Sequence, residues 1–306
     1  MTHQGAVPVP GGTGVEFIDG LRELAEGLAI SGGDVARRML AEFDLQGLDS
    51  RSKSSETDPV TVIDTSVEEH LRREIASRRP GDWVLGEEGG EAAGDSAHSG
   101  AGPRVRWIVD PVDGTVNLLY GIPFTAVSVA AEVDGVVVAG AVHNIVTRET
   151  WTAGRGRGAS LRGTDGSART LRVSGCADLS LALVGTGFAY DAGMRAEQGG
   201  VVAALLPRVR DIRRCGSAAL DLCMLATGRL DAYYERGLRP WDHAAGALVA
   251  AEAGAVVSVS DDDAVPTVAA APGVAGEFLA AIGEPADRAR GQQSTERAAS
   301  SSEEMG

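Results

Sequence analysis

Two aspartates follow an apolar segment of the sequence and stand only three residues apart. Residues 107–109 are apolar, Asp110 comes directly after them, and a Pro-Val pair separates Asp110 from Asp113. A buried strand ending here would hold Asp110 at a fixed point, and the short spacing lets Asp113 face the same centre. Carboxylate oxygens are the ligands that Mg²⁺ prefers, and two ions can share one carboxylate. The pattern predicts a magnesium site, with a capped turn as the alternative.

Other acids also stand at the ends of apolar runs. Glu87 is the last residue of a predicted strand over residues 83–87, Asp64 follows residues 61–63, and Asp242 follows Trp241. Each has an ordinary explanation as well: a solvated rim position for Glu87, and helix N-caps for Asp64 and Asp242. Taken singly, these acids leave both interpretations open.

The composition excludes some classes of partner. Among 306 residues, 43 are acidic and 28 basic, which gives a net charge of −15. A chain this acidic lacks the broad basic surface that nucleic acids and anionic membranes need, so neither partner is predicted. Three cysteines without a C-x-x-C spacing indicate buried thiols rather than a zinc site. The sequence has no apolar run of about 18 residues and no signal-peptide pattern, which predicts a cytoplasmic location.

The elements that would position these acids divide into two halves. Residues 15–175 are expected to form an N-terminal α+β half with the metal site, and residues 176–284 a C-terminal α/β half that completes it. Polar or Gly/Pro-rich composition predicts disordered tails over residues 1–14 and 285–306.

Periodicity and capping signals predict individual elements within these halves. Helices are expected over residues 15–43, from after Asp64 to 79 with Asp64 as N-cap, and over 194–206, 217–226 and 241–253. Strands are expected over residues 83–87, 105–109, 125–133, 136–143, 149–153, 211–213, 230–234 and 256–259. Gly32 and Gly33 weaken the first helix, Asp134-Gly135 predicts a hairpin, and residues 89–103 a surface loop. The Gly/Arg alternation at 154–158 resembles a phosphate-binding loop, but no helix follows it, so a turn is predicted.

Together with the motifs around them, the acids resemble the inositol monophosphatase family of lithium-sensitive, magnesium-dependent phosphatases. The motifs are Lys53-Ser54-Ser55, Gly86-Glu87-Glu88-Gly89, the segments 107–117 and 123–128, Gly216-Ser217-Ala218-Ala219, and the segments 231–235 and 241–246. The resemblance covers residues 15–283. It implies a layered α-β-α-β-α sandwich of the sugar phosphatase type, with the active site between its two halves.

The resemblance also implies a metal-binding role for five residues. Glu87, Asp110 and the carbonyl of Val112 would hold a first Mg²⁺, and Asp110, Asp113 and Asp242 a second. Glu87 would also face a third, mostly hydrated ion.

Catalytic and substrate-binding roles follow from the same resemblance. Thr115 would position the attacking water, Asp64 would accept its proton through Thr115, and the amides of Gly114 and Thr115 would bind phosphate oxygens, as free N–H groups opening a helix can. The substrate would contact Asp113, Gly114, Thr115, Gly216, Ser217, Ala218, Glu235 and Asp242. Glu235 suits a polyol because a carboxylate can accept hydrogen bonds from neighbouring hydroxyls.

The expected function is therefore hydrolysis of inositol monophosphate by metal-activated water in a cytoplasmic homodimer. Related families act on histidinol phosphate, fructose 1,6-bisphosphate or 3′-phosphoadenosine 5′-phosphate, so these substrates remain alternatives. A non-catalytic partnership with the transcription machinery is the alternative from another class, because a bacterial relative has such a role.

Overall fold

The computed structural model describes residues 13–42, 50–52, 59–94, 103–260, 262 and 265–283. The predicted tail at 285–306, nearly all of the tail at 1–14, the Lys53 motif and most of the 89–102 insertion lie outside the described residues.

In the first half of the described chain runs of strands separate the helices, and in the second half helices and strands largely alternate. The helices are α1 (Val15–Glu42), α2 (Val62–Arg78), α3 (Thr115–Leu119), α4 (Ala192–Leu205), α5 (Ala218–Ala226), α6 (Pro240–Glu252) and α7 over residues 275–283. Strands β1 (Ser50–Ser52) and β2 (Pro59–Thr61) pair with each other in antiparallel fashion. No described helix has both the length and the apolar character needed to cross a membrane.

The larger sheet has eight strands and carries the predicted metal-binding segments. Its strands are β3 (Trp83–Gly86), β4 (Gly90–Ala92), β5 (Arg106–Asp113), β6 (Ala126–Val133), β7 (Val136–Asn144), β8 (Thr150–Gly154), β9 (Gly158–Arg162) and β10 (Ala168–Thr170). The spatial order is β10-β9-β8-β7-β6-β5-β3-β4, and every pair is antiparallel except β3 with β5. The parallel pair brings the carboxyl ends of β3 and β5 to the same edge, which is the edge where Glu87 and Asp110 emerge.

The smaller sheet has five strands, in the order β12-β11-β13-β15-β14. They are β11 (Leu183–Thr186), β12 (Asp211–Arg213), β13 (Ala232–Glu235), β14 (Val256–Ser258) and β15 (Thr267–Ala270). β11 runs parallel to both of its neighbours, whereas β15 is antiparallel to β13 and β14.

Buried side chains stack these elements into five layers. Helices α1 and α2 cover one face of the eight-stranded sheet, and α5 and α6 cover the other. The opposite side of α5 packs on the smaller sheet, where Leu222 and Leu225 join the cluster around Tyr233. The far face of that sheet packs against α4 and α7 through Leu205 and Phe278. The molecule is therefore an α-β-α-β-α sandwich, as predicted.

Helix α1 runs unbroken through Gly32 and Gly33, although these residues weakened its prediction. The reason is close packing: a Cβ at Gly32 would lie 3.2 Å from Val127 Cγ1, and one at Gly33 would overlap the ring of His143 on β7. At these two positions the absence of a side chain lets the helix approach the sheet, and this offsets its cost in helix propensity.

We expect Gly33→Ala to destabilise the protein even though alanine is the better helix former. The extra methyl group should cost about 1–3 kcal/mol in the free energy of unfolding through overpacking against His143. The matched control is Gly27→Ala on the exposed side of the same helix, where a Cβ meets nothing within 4 Å. That change should stabilise the protein by about 0.5–1 kcal/mol. Urea unfolding of both variants checks the opposite signs, and equal effects would contradict this packing argument.

Two predicted turns are confirmed. Asp134 and Gly135 have φ values of 49° and 77°, which is the left-handed geometry of a tight hairpin. The Gly/Arg segment joins β8 to β9, and the amides of Gly156 and Gly158 donate to the Glu252 carboxylate at 2.8 and 2.9 Å. This loop does hold an anion, but the anion is a side chain of α6.

Other expectations need correction. Helix α2 begins at Val62, so Asp64 lies in its first turn and is not its N-cap. Strands β1, β2, β9, β10, β11 and β15 and helix α7 were not predicted, and β4 occupies part of the expected 89–103 loop. These strands are only three to five residues long, so alternation of apolar and polar residues has little length in which to show.

Candidate active site

Three carboxylates converge where β5 ends and α6 begins. One oxygen atom each from Asp110, Asp113 and Asp242 can be chosen so that all three lie within 4.8 Å of one another. The pairing of β5 with β6 is irregular between Asp110, opposite Ser128, and Asp113, opposite Ala126. A bulge of this kind re-aims side chains, which lets two acids three residues apart face one point.

Backbone and side-chain donors fix each carboxylate of this triad. The amide of Val112 donates to Asp110 Oδ1 at 3.0 Å, and the amide of Arg239 donates to Asp242 Oδ2 at 2.6 Å. Asp113 Oδ2 accepts from Ser217 Oγ and from the Ala219 amide, both at 2.7 Å. The turn contacts proposed for Asp110 and Asp113 are thus present, whereas Asp242 is not an N-cap: it lies in the first turn of α6 and accepts from the backbone of the N-cap, Arg239. These contacts hold the acids in a convergent arrangement.

Burial and mutual repulsion raise the pKa values of these acids. Burial raises the pKa of Asp110 and Asp242 well above the usual range, and nearby carboxylates raise both further. Burial raises the pKa of Asp113 to about 6 against the opposing hydrogen bonds from Ser217 and Ala219. Buried like charges at this spacing require either protons or a cation to neutralise them.

Glu87 lies in the turn after β3, outside the 4.8 Å triad but close enough to act on it. Its charge raises the pKa of each member of the triad and of Asp64. The donors that the described residues place around this point are carboxylate oxygens, so these residues fit a hard divalent cation such as Mg²⁺.

A hydrogen-bonded pair, Thr115 and Asp64, lies beside the triad. Thr115 Oγ1 is 2.8 Å from Asp64 Oδ1 and 2.9 Å from the carbonyl oxygen of Val112. Burial raises the pKa of Asp64 to about 7, although the Thr115 hydroxyl opposes the shift. When Asp64 is ionised, it accepts a hydrogen bond from the Thr115 hydroxyl. When Asp64 is protonated, it can donate a hydrogen bond to Thr115 Oγ1, and the Thr115 hydroxyl then donates to the Val112 carbonyl oxygen. The pair can therefore take up a proton near neutral pH.

A pocket of about 620 Å³ opens next to the triad. Of the predicted substrate-binding residues, those lining it are Asp113, Gly114, Gly216, Ser217, Ala218, Glu235 and Asp242. Gly114 precedes α3 with a φ of 91°, and a Cβ there would lie 2.9 Å from the Phe124 carbonyl oxygen, so a side chain is excluded on both grounds.

Glu235 reaches the pocket from the end of β13. Tyr233 OH donates a hydrogen bond to Glu235 Oε2, and burial raises the pKa of Glu235 to about 7 while Tyr233 and the charge of Arg214 lower it. A Cβ at Gly187 would overlap this carboxylate. Any side chain at position 187 would therefore displace the Glu235 carboxylate.

Two residues that connect the site, Asn117 and Glu68, were not predicted from the sequence. Asn117 Nδ2 donates to the carbonyl oxygens of Phe124 and Cys215 at 2.9 and 2.8 Å, which ties α3 to the segment before α5. Glu68 accepts hydrogen bonds from the turn that contains Glu87. Its position one helical turn after Asp64 was the available signal, because residues i and i+4 share one face of a helix.

The family model, a curated relative and a solved structure all relate this chain to the same family of proteins. The family model described as "Inositol monophosphatase family" matches residues 18–299. The Mycobacterium tuberculosis protein named "Inositol-1-monophosphatase SuhB" is 51% identical over 273 residues, which cover 86% of this chain and 93% of that protein. The solved structure titled "Mycobacterium tuberculosis SuhB" superposes with a TM-score of 0.75 at 48% identity, covering 87% of this chain and 97% of the other. The Pseudomonas aeruginosa protein named "Nus factor SuhB" is 38% identical over 233 residues, 75% of this chain and 82% of that protein.

Proposed function

Because the chain belongs to the inositol monophosphatase family, we propose that it is a magnesium-dependent phosphatase that hydrolyses inositol monophosphate to inositol and phosphate in the cytoplasm. The observation that carries the proposal is the triad of buried Asp110 and Asp113 with half-buried Asp242, beside the Thr115–Asp64 pair. The homodimer and lithium sensitivity stay predictions.

In this proposal Glu87, Asp110 and the Val112 carbonyl would hold one Mg²⁺, and Asp110, Asp113 and Asp242 would hold a second. Glu87 would also face a third ion. Bound Mg²⁺ supplies a lowered pKa for the attacking water and neutralises charge on the phosphoryl oxygens. The raised pKa values of the acids support the assignment, because a divalent cation would offset the repulsion that burial makes costly.

The chain's own groups orient the reactants and move one proton. Thr115 Oγ1 holds the attacking water, and Asp64 accepts a proton through Thr115 over the 2.8 Å contact. The amides of Gly114 and Thr115 bind phosphate oxygens. Glu235 accepts hydrogen bonds from the hydroxyls of a polyol, and the backbone around Gly216 borders the same pocket.

A sugar bisphosphate is the second candidate substrate. Arg195 and Arg214 also line the pocket, and both residues are exposed to solvent. Guanidinium groups bind phosphate well. A substrate with a second phosphate group could therefore engage these arginines while the first lies at the triad.

Phosphate release from a panel of substrates tests the proposal. The panel is inositol 1-phosphate, fructose 1,6-bisphosphate, histidinol phosphate and 3′-phosphoadenosine 5′-phosphate, each with Mg²⁺, with EDTA, and with Mg²⁺ plus Li⁺. We expect the largest kcat/KM for inositol 1-phosphate, and no turnover in EDTA. Arg195→Gln separates the second candidate, because only bisphosphate hydrolysis should weaken; Arg214→Gln is unsuitable, since the charge of Arg214 also lowers the pKa of Glu235. No release from any compound would refute the enzymatic proposal.

The relative named a Nus factor makes a transcriptional role worth testing in the same variants. Asp113→Asn should abolish both phosphatase activity and any cellular function if the protein acts as an enzyme. A variant that loses phosphatase activity yet complements a deletion strain would favour a protein-binding role.

Mg²⁺ should stabilise the protein more strongly as the pH rises from 5 to 8. Because the folded pKa values of Asp64 and Asp113 are raised to about 7 and about 6, both acids are largely protonated at pH 5. Their protonation stabilises the metal-free fold at low pH, and this stabilisation is lost as the pH rises from the ordinary value of 3.8 through 6–7. Mg²⁺ must displace the proton of its proposed ligand Asp113, and the negative charge of ionised Asp64 beside the site attracts the cation. Melting curves with Mg²⁺ and with EDTA at each pH measure the difference in Tm, and a difference that shrinks towards pH 8 would contradict the argument.

A further inference from the structure

The turn that presents Glu87 is held by side chains of helix α2. Residues 87–89 form the three-residue connection between β3 and β4, whose last paired residues are Gly86 and Gly90. Building on the proposed function, we propose that Glu68, together with Arg72, is a positioning residue that fixes this turn so that Glu87 can bind metal.

The contacts are short and involve both oxygens of one buried carboxylate. Glu68 Oε2 accepts from the Glu88 amide at 2.7 Å, and Glu68 Oε1 accepts from the Gly89 amide at 2.8 Å. These two amides directly follow Glu87, so the carboxylate fixes the backbone on the C-terminal side of the proposed ligand. Hydrogen bonds that involve a charged group and are buried are among the stronger ones in proteins.

Arg72 completes the arrangement one helical turn further along α2. Its Nε donates to Glu68 Oε1 at 2.8 Å, and its Nη2 donates to the Gly90 carbonyl oxygen at 2.6 Å. The side chains of Glu68 and Arg72 are 3% and 22% exposed, so this ion pair is shielded from solvent, unlike the other i,i+4 pairs of the helix. Arg72 thus neutralises Glu68 and binds the far side of the turn.

Close packing makes the fit specific. A Cβ at Gly86 would lie 2.5 Å from the Glu68 carboxylate, and one at Gly89 would lie 2.9 Å from Glu68 Oε1. The glycines that flank the two glutamates therefore serve to admit the Glu68 side chain. Asp64 stands four residues earlier on the same helix, so α2 positions both the proposed proton acceptor and the turn that carries the proposed ligand.

The test is Mg²⁺ affinity measured directly on the purified protein. Glu68→Gln keeps the side chain's size but sets an NH₂ group against amide and guanidinium donors, so one contact with the turn is lost. Mg²⁺ titration by calorimetry should give a Kd raised about 10–100-fold, the range found when supporting residues of metal sites are changed. The matched control is Glu74→Gln, which breaks an exposed pair with Arg78 on the same helix and should leave the Kd unchanged.

The variants separate positioning from simple structural support. If Glu68 only supports the fold, Glu68→Gln should lower the Tm in EDTA without changing the Mg²⁺ Kd of the folded fraction. That result would overturn the inference. Arg72→Lys keeps the charge but cannot reproduce the forked contacts, and it should raise the Kd several-fold; if Glu68→Gln fails to fold, this variant alone decides. Wild-type protein that binds no Mg²⁺ would refute the proposed function, whereas equal binding by wild type, Glu68→Gln and Arg72→Lys would refute only the role of Glu68.

Discussion

Replacing Asp110 by asparagine should abolish phosphatase activity and, in EDTA at pH 8, raise the melting temperature. Asp110 is fully buried among acids, and its neighbours and burial raise its pKa well above the usual range. Asparagine keeps the Oδ1 acceptor for the Val112 amide and removes the charge. The loss in kcat/KM should exceed about 100-fold, because changes in residues that only support metal ligands already cost roughly 10–100-fold.

The gain in stability has a definite pH dependence. A raised folded pKa means that Asp110 stabilises the metal-free fold at low pH and that this contribution is lost as the pH rises. Asparagine does not titrate, so the variant should match wild type at pH 5 and exceed it at pH 8. Mg²⁺ should raise the Tm of wild type alone. Asp165→Asn, in an exposed turn, is the control for the chemical change; an Asp110→Asn protein that melts lower at pH 8 would contradict the argument.

Thr115→Val should lower kcat by about 10²–10⁴-fold, the range for loss of a positioned acid or base. Valine has the shape of threonine but cannot hydrogen-bond to Asp64, so the 2.8 Å route for the proton is removed. Mg²⁺ affinity should change little, because the Thr115 side chain is assigned to the water and not to a metal.

Thr115→Ser is the matched control, since serine keeps the hydroxyl and should keep most of the activity. Asp64→Asn should resemble Thr115→Val in kcat, and the double variant should be no worse than either single one if the two side chains act as a unit. If the loss of kcat in the double variant equals the product of the two single losses, Thr115 and Asp64 act separately.

Much of the fold and of the site geometry follows from patterns that are local in the sequence. The apolar run before Asp110 predicted a strand, and β5 extends through Asp113. Ser217 was expected to begin a helix, and it is the N-cap of α5. Long periodic segments and capping residues report on neighbours within one turn or one strand, which is why they can be interpreted without the fold.

The parts that could not be predicted depend on contacts between distant segments. Gly33 can be understood only once β7 is known to lie against α1, and Glu68 only once the turn after β3 is known to meet α2. Strand β15 is four residues long and gains its partners from β13 and β14. Tertiary packing supplies such information, and short apolar stretches do not contain it.

Helices α5 and α6 lie between the two sheets and supply both Ser217, which hydrogen-bonds Asp113, and Asp242, which completes the triad. The same two helices also bury their remaining faces against strands from both halves of the chain. A fragment ending before residue 176 would keep Asp64, Glu87 and Asp110 but would lack both Ser217 and Asp242. The candidate site and the packing between the two halves therefore depend on the same two helices.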